Sequence, residues 1–277
     1  MTVTTIHKTA AIADGAQVHE TAQIGPYAVI GPNVRIGAGT KIGAHVVIDG
    51  HTSIGENCKI FAGASIGLEP QDLKYNDEPT GVSIGDNVTI REYVTIHRAT
   101  GDRTTIIGND CFLMNYVHIA HDCRLGNGVI IANATTVAGH VSIGENAVIS
   151  GTCVFHQHVR VGKAVMMGGL TGTRVDLPPF TMCDGRPAYV RGINVIGLRR
   201  QKIGPETRKH IKQAYKLLYR EGINFGQALA RIEAELPQSP EIMEICEFFR
   251  TTKRGIAAAF GDSHEAGRYD DNPVDDI

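Results

Sequence analysis

The stretch IGPYAVIGPNVRIGAGTKIGAHVVI, residues 24–48, has an aliphatic residue at every sixth position, and glycine follows four of the five. The same spacing runs without interruption from Ile6 to Ile66. After a shift in frame it runs again from Ile107 to Met167. A second restricted position, small or β-branched, lies four residues after each aliphatic one. Two inward positions two residues apart are the alternation of a β-strand. A period of six is too short for a helix pair, so the sequence predicts a parallel β-helix.

The cysteines and the composition limit the functional classes. Four of the six cysteines occupy the small inward position, which predicts that they fill the core: Cys58, Cys111, Cys123 and Cys153. No C-x-x-C motif and no signal-peptide pattern occur, so we expect a reduced, cytoplasmic protein. A net charge of −2 argues against a nucleic-acid partner. No apolar stretch approaches the ~20 residues that span a bilayer, so we expect no stable membrane insertion.

The pattern divides the chain into three parts. Residues 1–190 are predicted to form the β-helix, with interruptions at residues 67–83 and 97–106 that we expect to loop out on one face. Residues 191–260 are predicted to be a helical domain, because GPETRKHIKQAYKLLYREG, NFGQALARIEAEL and SPEIMEICEFFR carry helical periodicity and end signals. Residues 261–277 are polar and acidic, which predicts a disordered tail.

The histidines form a second pattern. Ile119 points inward in HIAHDC (residues 118–123), so His121 faces outward or lies at a corner. If one coil takes 18 residues, His97, His121, His140 and His158 lie near one corner of successive coils. Two chemistries fit such a ladder. The histidines could bind zinc, or one of them could act as a general base that the neighbouring Asp122 orients.

The tandem IG-x-x-x-x hexapeptides resemble the left-handed β-helix acyltransferases, in which three hexapeptides close a triangular coil. The segments HIAHDC, TIHRAT, QDLKY, AGHV, HQ, MMGGL, DLPPF, GINVIGLRR and AYKLLYREG occur in order. Together they resemble the UDP-N-acetylglucosamine O-acyltransferases, which start lipid A synthesis. The resemblance implies a homotrimer that transfers a 3-hydroxyacyl chain from acyl carrier protein to the glucosamine 3-position of UDP-N-acetylglucosamine. The phosphopantetheine thioester would be a substrate, and no cofactor or metal would be needed.

The resemblance also assigns roles to residues. His121 would be the general base and Asp122 its partner, while the N–H of Gly139 would stabilise the oxyanion. Gly169 matches the position that limits acyl-chain length, and with no side chain there a longer chain would fit. The remaining matches are substrate-binding positions: Asp72, Lys74, His97, His118, His140, Gln157, Asn194 and Arg200. Ile196 stands where the family often has a glutamate, which leaves open how the uridine or the amino sugar is held.

Three alternatives remain at this stage. A zinc hydratase similar to the γ-class carbonic anhydrases shares the β-helix and sets histidines on neighbouring coils. The same transferase could act on a 3-amino sugar nucleotide, or the β-helix could be a non-catalytic scaffold. A related N-acyltransferase shares the hexapeptides but usually carries an extra N-terminal domain, for which we expect no room before Ile6.

Overall fold

The strands form three parallel sheets that enclose a triangular prism. The computed structural model describes residues 5–261. Through the regular coils the chain visits the three sheets in turn, and each strand pairs with the strand three places later in the sequence. Gln23 pairs with Lys41, one period of 18 residues later. Three hexapeptides therefore make one coil, as the resemblance implied.

The strands have the following bounds. The first sheet contains β1 (Thr5–Ile6), β4 (Gln23–Ile24), β7 (Lys41–Ile42), β10 (Lys59–Ile60), β13 (Thr89–Ile90), β16 (Phe112–Leu113), β19 (Ile130–Ile131), β22 (Val148–Ile149), β25 (Met166–Met167), β27 (Thr181–Asp184) and β28 (Tyr189–Ile193). The second contains β2 (Ala11–Ile12), β5 (Val29–Ile30), β8 (Val47–Ile48), β11 (Ser65–Leu68), β14 (Thr95–His97), β17 (His118–Ile119), β20 (Thr136–Val137), β23 (Val154–Phe155) and β26 (Gly172–Thr173). The third contains β3 (Gln17–Val18), β6 (Arg35–Ile36), β9 (Ser53–Ile54), β12 (Gly81–Ile84), β15 (Thr104–Ile107), β18 (Arg124–Leu125), β21 (Ser142–Ile143) and β24 (Arg160–Val161).

The periodic aliphatic residues fill the prism, as the sequence predicts. From Ile24 to Met167 they are buried, and the four cysteines at the small position are buried beside them. Ile6 differs, since 47% of its surface is exposed. It lies on the first described coil, so a neighbouring coil covers it on one side only. Cys123 is fully buried at the small inward position, which confirms that it fills the core, and burial raises the pKa of its thiol to about 12.

Both interruptions leave the prism at the same corner. The first lies between β11 and β12 and the second between β14 and β15. In each case the chain is passing from the second sheet to the third. The histidine ladder occupies this corner as well, so it is called the histidine corner below.

The β-helix ends in a hairpin and four helices. β27 follows the last strand of the six-residue repeat and pairs in parallel with β25 in the first sheet. β28 then turns back and pairs antiparallel with β27. The helices are α1 (Val195–Arg200), α2 (Pro205–Arg220), α3 (Phe225–Glu235) and α4 (Pro240–Arg250). α2, α3 and α4 confirm the predicted helices, whereas α1 was not predicted. Ser239 caps α4, accepting a hydrogen bond from the N–H of Ile242.

The helical part packs on the end of the β-helix through its own apolar cluster. Leu198, Ile211 and Phe248 belong to this cluster, and Phe180 joins it from the β-helix. β28 crosses the predicted boundary between residues 190 and 191, so the domain division stays a prediction. The predicted tail, residues 261–277, lies outside the described residues except for Gly261. Within the described part, no helix is both long enough and apolar enough to cross a membrane.

Candidate active site

Five histidines lie along the histidine corner, two in one group of contacting rings and three in another. The rings of His97 and His118 are 4.9 Å apart, those of His121 and His140 5.0 Å, and those of His140 and His158 4.3 Å. The prediction that the ladder occupies one corner is therefore confirmed. The strand register sets His118 level with Thr136, and Thr136 level with Val154. By the same offset His121 is level with Gly139, and His140 with His158.

His121 and Asp122 form a buried dyad. Nδ1 of His121 lies 2.7 Å from Oδ2 of Asp122, and only 5% of His121 and 7% of Asp122 is exposed. Asp122 has a φ of 62°, in the left-handed region that aspartate tolerates better than most residues. The carboxylate accepts the Nδ1 proton, which leaves the lone pair on Nε2 to accept a proton from a substrate. This is the arrangement of a general base with its orienting acid.

The second interruption supplies further partners for Asp122. Thr100 Oγ1 donates to Oδ2 at 2.8 Å, and Arg103 Nε lies 3.1 Å from Oδ1. The backbone N–H of Asp122 donates to Thr105 Oγ1 at 2.9 Å. Burial raises the pKa of the Asp122 carboxyl, but hydrogen bonds from His121 and Thr100 outweigh it, and the net direction is downward. Asp122 is thus an ionised carboxylate at neutral pH.

Gly139 lies directly against the base. A β-carbon built on Gly139 would be 2.6 Å from both Cε1 and Nε2 of His121, so a side chain there would displace the imidazole. The carbonyl of Gly139 accepts from the N–H of His158. Within residues 5–261 its own N–H has no acceptor. The residue that lies against the His121 ring thus carries an N–H without an acceptor among these residues, and such a group can stabilise an oxyanion.

His97 and His118 make the wall on the other side of the base. Nδ1 of His118 lies 2.7 Å from Thr95 Oγ1. Nδ1 of His97 is buried and has no hydrogen-bond partner among the described residues. Burial, with smaller contributions from His118 and His121, lowers the pKa of His97 to about 4, and burial with His121 lowers that of His118. Both rings are therefore neutral at physiological pH and suited to hydrogen bonds with sugar hydroxyl groups.

The first interruption carries Asp72 and Lys74 to the histidine corner. Asp72 Oδ1 accepts a hydrogen bond from the N–H of Lys74 at 2.9 Å. Arg98, from the second interruption, holds the loop: its Nε donates to the Tyr75 hydroxyl at 2.9 Å and its Nη1 to the Gly67 carbonyl at 3.3 Å. Lys74 is exposed and so accessible to an anionic ligand.

Two further predicted positions, Gln157 and Gly169, lie at different corners of the prism. Gln157 is exposed in the turn after β23, within the histidine corner. Gly169 follows β25, where the chain passes from the first sheet to the second. A β-carbon on Gly169 would meet nothing closer than the Gly151 carbonyl oxygen at 3.7 Å, so this position has room for a side chain.

Asn194 and Arg200 do not reach the histidine corner through the contacts of this chain. The Asn194 side chain caps α1 by accepting from the N–H of Gly197, and it donates to the Ala164 carbonyl, both at 2.9 Å. Ala164 follows β24, where the chain passes from the third sheet to the first. Arg200 is exposed at the end of α1, and 63% of Ile196 is exposed.

His121, Asp122 and His140 are close enough together to be considered as metal ligands, since one ligand atom from each lies within 4.8 Å of the others. The donor set does not fit a cation well. Nδ1 of His121 is bonded to Asp122, so the carboxylate oxygen and the histidine nitrogen in this contact are not both available to an ion, and only Nε2 of His121 remains. The guanidinium of Arg103 is 3.1 Å from the other oxygen of the same carboxylate, where it would repel a metal ion. We therefore identify none of the three as a metal ligand.

Comparisons with known proteins identify the family of this chain. A family model described as UDP-N-acetylglucosamine O-acyltransferase, domain 2, matches residues 176–257, and one for bacterial transferase hexapeptides matches 15–50 and 104–139. An acyl-[acyl-carrier-protein]–UDP-N-acetylglucosamine O-acyltransferase from Thermodesulfovibrio yellowstonii is 51% identical over 91% of this chain and 98% of its own. The chain belongs to the UDP-N-acetylglucosamine O-acyltransferase family.

Solved structures of this family share the fold. A UDP-N-acetylglucosamine acyltransferase from Bacteroides fragilis superposes with a TM-score of 0.88 at 43% identity, covering 90% of this chain and 98% of that one. The protein from Campylobacter jejuni gives 0.87 at 37%, covering 91% and 99%. The predicted left-handed β-helix is thus confirmed. The hexapeptide match at residues 104–139 contains His121, Asp122 and Gly139. Asn194 and Arg200 lie in the match to domain 2 of the acyltransferase, residues 176–257.

Sequence reasoning missed Thr100 and Arg103, although both lie in the predicted second interruption. That segment lacks the six-residue period, so its side chains could not be placed. One signal was available: this interruption begins at His97, a member of the ladder, so its next residues had to leave from the same corner.

Proposed function

We propose that this member of the UDP-N-acetylglucosamine O-acyltransferase family transfers a 3-hydroxyacyl chain from acyl carrier protein to the glucosamine 3-hydroxyl of UDP-N-acetylglucosamine, the step that begins lipid A synthesis. The observation that carries the proposal is the buried His121–Asp122 dyad, with Gly139 packed against the His121 ring. The names of the relatives supply the donor and the acceptor.

The reaction follows from this geometry. Nε2 of His121 accepts the proton of the 3-hydroxyl as its oxygen attacks the thioester carbon, while Asp122 stabilises the imidazolium at Nδ1. The carbonyl oxygen becomes an oxyanion that the Gly139 N–H stabilises, a contribution typically of about 10²–10³ in rate. The tetrahedral intermediate then expels the phosphopantetheine sulfur, which takes the proton from His121. The thiol is an adequate leaving group, so the proposed reaction uses no cofactor.

The acceptor is proposed to lie along the histidine corner. The neutral rings of His97, His118 and His140 would bond the sugar hydroxyl and acetamido groups, and Gln157 continues this wall. Lys74 would bind the diphosphate as a cation, with Asp72 holding the loop that carries it. The unpaired Nδ1 of His97 supports the proposal, because a buried nitrogen without a partner costs free energy until a ligand satisfies it.

A homotrimer is proposed because the predicted site is divided between corners. Asn194 and Arg200 lie beside the corner between the third and first sheets, away from the dyad. With parallel β-helix axes, a second copy would bring its own pair to the histidine corner of the first, where Arg200 would hold the nucleotide. The acyl chain would then run between copies, past the open position at Gly169.

The carrier protein and the cellular location are also proposals. Arg199 and Arg200 end α1 and are exposed, which suits contact with an acidic carrier protein. All six cysteines are free, which fits the reducing cytoplasm.

The test is transfer by the purified protein from acyl carrier proteins of several chain lengths to UDP-N-acetylglucosamine and to its 3-amino analogue. We expect the hydroxyl acceptor to react and His121→Ala to lose at least about 10²-fold in kcat. The matched control is His19→Ala, an exposed corner histidine bonded to Thr21 at 3.0 Å, which should keep full activity. Undiminished transfer by His121→Ala refutes the base. Stoichiometric zinc with activity lost on chelation would favour the hydratase, and reaction of the amino analogue alone would change the acceptor.

A further inference from the structure

Arg103 reaches the catalytic carboxylate from outside the β-helix. Its Nε lies 3.1 Å from Oδ1 of Asp122, and its Nη2 donates to Thr100 Oγ1 at 3.2 Å. Thr100 in turn donates to Oδ2, the oxygen that also bonds His121. The guanidinium thus leaves Oδ2 to the base and occupies the opposite oxygen.

Arg103 also faces the second imidazole beside the carboxylate. Its Nη1 is 3.5 Å from Nδ1 of His140, whose Nε2 lies 3.8 Å from Asp122 Oδ2. A guanidinium can only donate, so it meets the unprotonated form of Nδ1. Burial lowers the pKa of His140, Asp122 opposes this, and the charges of His158, His121 and Arg103 lower it further.

We propose that Arg103 is a positioning residue for the acyl transfer: it shares the charge of Asp122, holds that carboxylate in register with His121, and opposes protonation of the imidazoles on either side. Without the guanidinium, the full charge of the Asp122 carboxylate would favour protonation of His121 and His140. A protonated His121 cannot accept a proton from the substrate. Among residues 5–261, the other titratable groups near His121 and His140 are His97, His118, His158 and the buried Cys123 thiol, and Asp102 is the chain neighbour of Arg103.

The inference rests on the proposed acyl transfer, and it predicts a displaced pH profile. In Arg103→Gln the acidic limb of kcat/KM should move to higher pH, because losing a cation favours imidazolium. About half of the Arg103 side chain is exposed, so solvent screening limits the shift to about half a pH unit, or about three-fold in kcat/KM below the limb. At high pH the variant should approach the parent rate.

The experiment measures kcat and KM from pH 5 to 9 for the parent, Arg103→Gln, Arg103→Lys and the control Arg124→Gln, which removes an exposed arginine from β18. In Arg103→Lys the acidic limb of kcat/KM should return most of the way to the pH of the parent. In Arg124→Gln it should stay at the parent's pH. An NMR titration of the His140 ring should show the same upward shift without substrate. An unmoved limb and an unmoved His140 titration overturn the proposal. A pH-independent rise in KM for the sugar nucleotide also overturns it and makes Arg103 a substrate contact. An inactive parent with a shifted His140 titration would overturn only the proposed transfer.

Discussion

Replacing Asp122 by asparagine tests the dyad most directly. The His121–Asp122 contact is 2.7 Å long, and at an effective dielectric constant of about 20, unit charges at that distance attract by about 6 kcal/mol. The imidazolium charge is only partly developed in the transition state, and Thr100 and Arg103 share the carboxylate. We therefore expect about half of this energy to be lost, near 3 kcal/mol, which corresponds to about a 10²-fold fall in kcat. Asparagine also permits the wrong tautomer, with the proton on Nε2.

The assay is single-turnover acyl transfer at saturating sugar nucleotide, with thermal unfolding measured in parallel. Asp110→Asn is a matched control: Asp110 also lies in a coil turn with a left-handed φ, 58° against 62° for Asp122, but it is exposed. Within the described residues its carboxylate accepts a hydrogen bond only from the Asn87 side-chain amide. It should leave kcat unchanged. If Asp122→Asn stays folded and its kcat remains within about three-fold of the parent, the dyad is not the base.

Three further predictions concern neighbouring positions. Gly139→Ala keeps the backbone N–H but places a β-carbon 2.6 Å from Nε2 of His121, so the imidazole should be displaced and kcat should fall by about 10²-fold or more; a fully active variant would contradict the close packing of Gly139 against the base. Gly169→Met fits the space at that position and should shift donor preference toward shorter acyl chains in a competition assay, and an unchanged preference would remove Gly169 from the acyl groove. The pKa of His97 is lowered from 6.5 to about 4, mainly by burial, so stability is lost as the pH falls from 6.5 toward 4. His97→Gln should reduce that loss by about 1–2 kcal/mol, after allowance for the partial exposure of the residue; urea unfolding at pH 7 and 5 checks this, and equal losses in both proteins would refute it.

Much of the fold could be predicted because its signals are local and repeated. The six-residue period identified the inward residues, and burial from Ile24 to Met167 agrees with it. Ser239 and Pro240 marked the start of α4, since capping depends on residues adjacent in the chain. α1 was missed because its six residues are too few to show a period. Asn194 was assigned to the nucleotide, whereas its amide caps this helix and bonds Ala164; a nucleotide contact there stays a prediction.

By itself, the sequence determined that the chain winds into a solenoid and which residues line its interior, because a fixed period carries register from coil to coil. That the histidines share a corner followed only once a coil was taken as 18 residues, which the family resemblance implied and the strand register confirms. Only the tertiary structure showed that Thr100 and Arg103 bond to the Asp122 carboxylate and that His121 packs against Gly139. It also showed that Asn194 and Arg200 lie beside another corner. Thr100 and Asp122 are 22 residues apart, and Thr100 lies in an aperiodic loop whereas Asp122 lies in the repeat. Such contacts depend on where the loop packs, which no local pattern encodes.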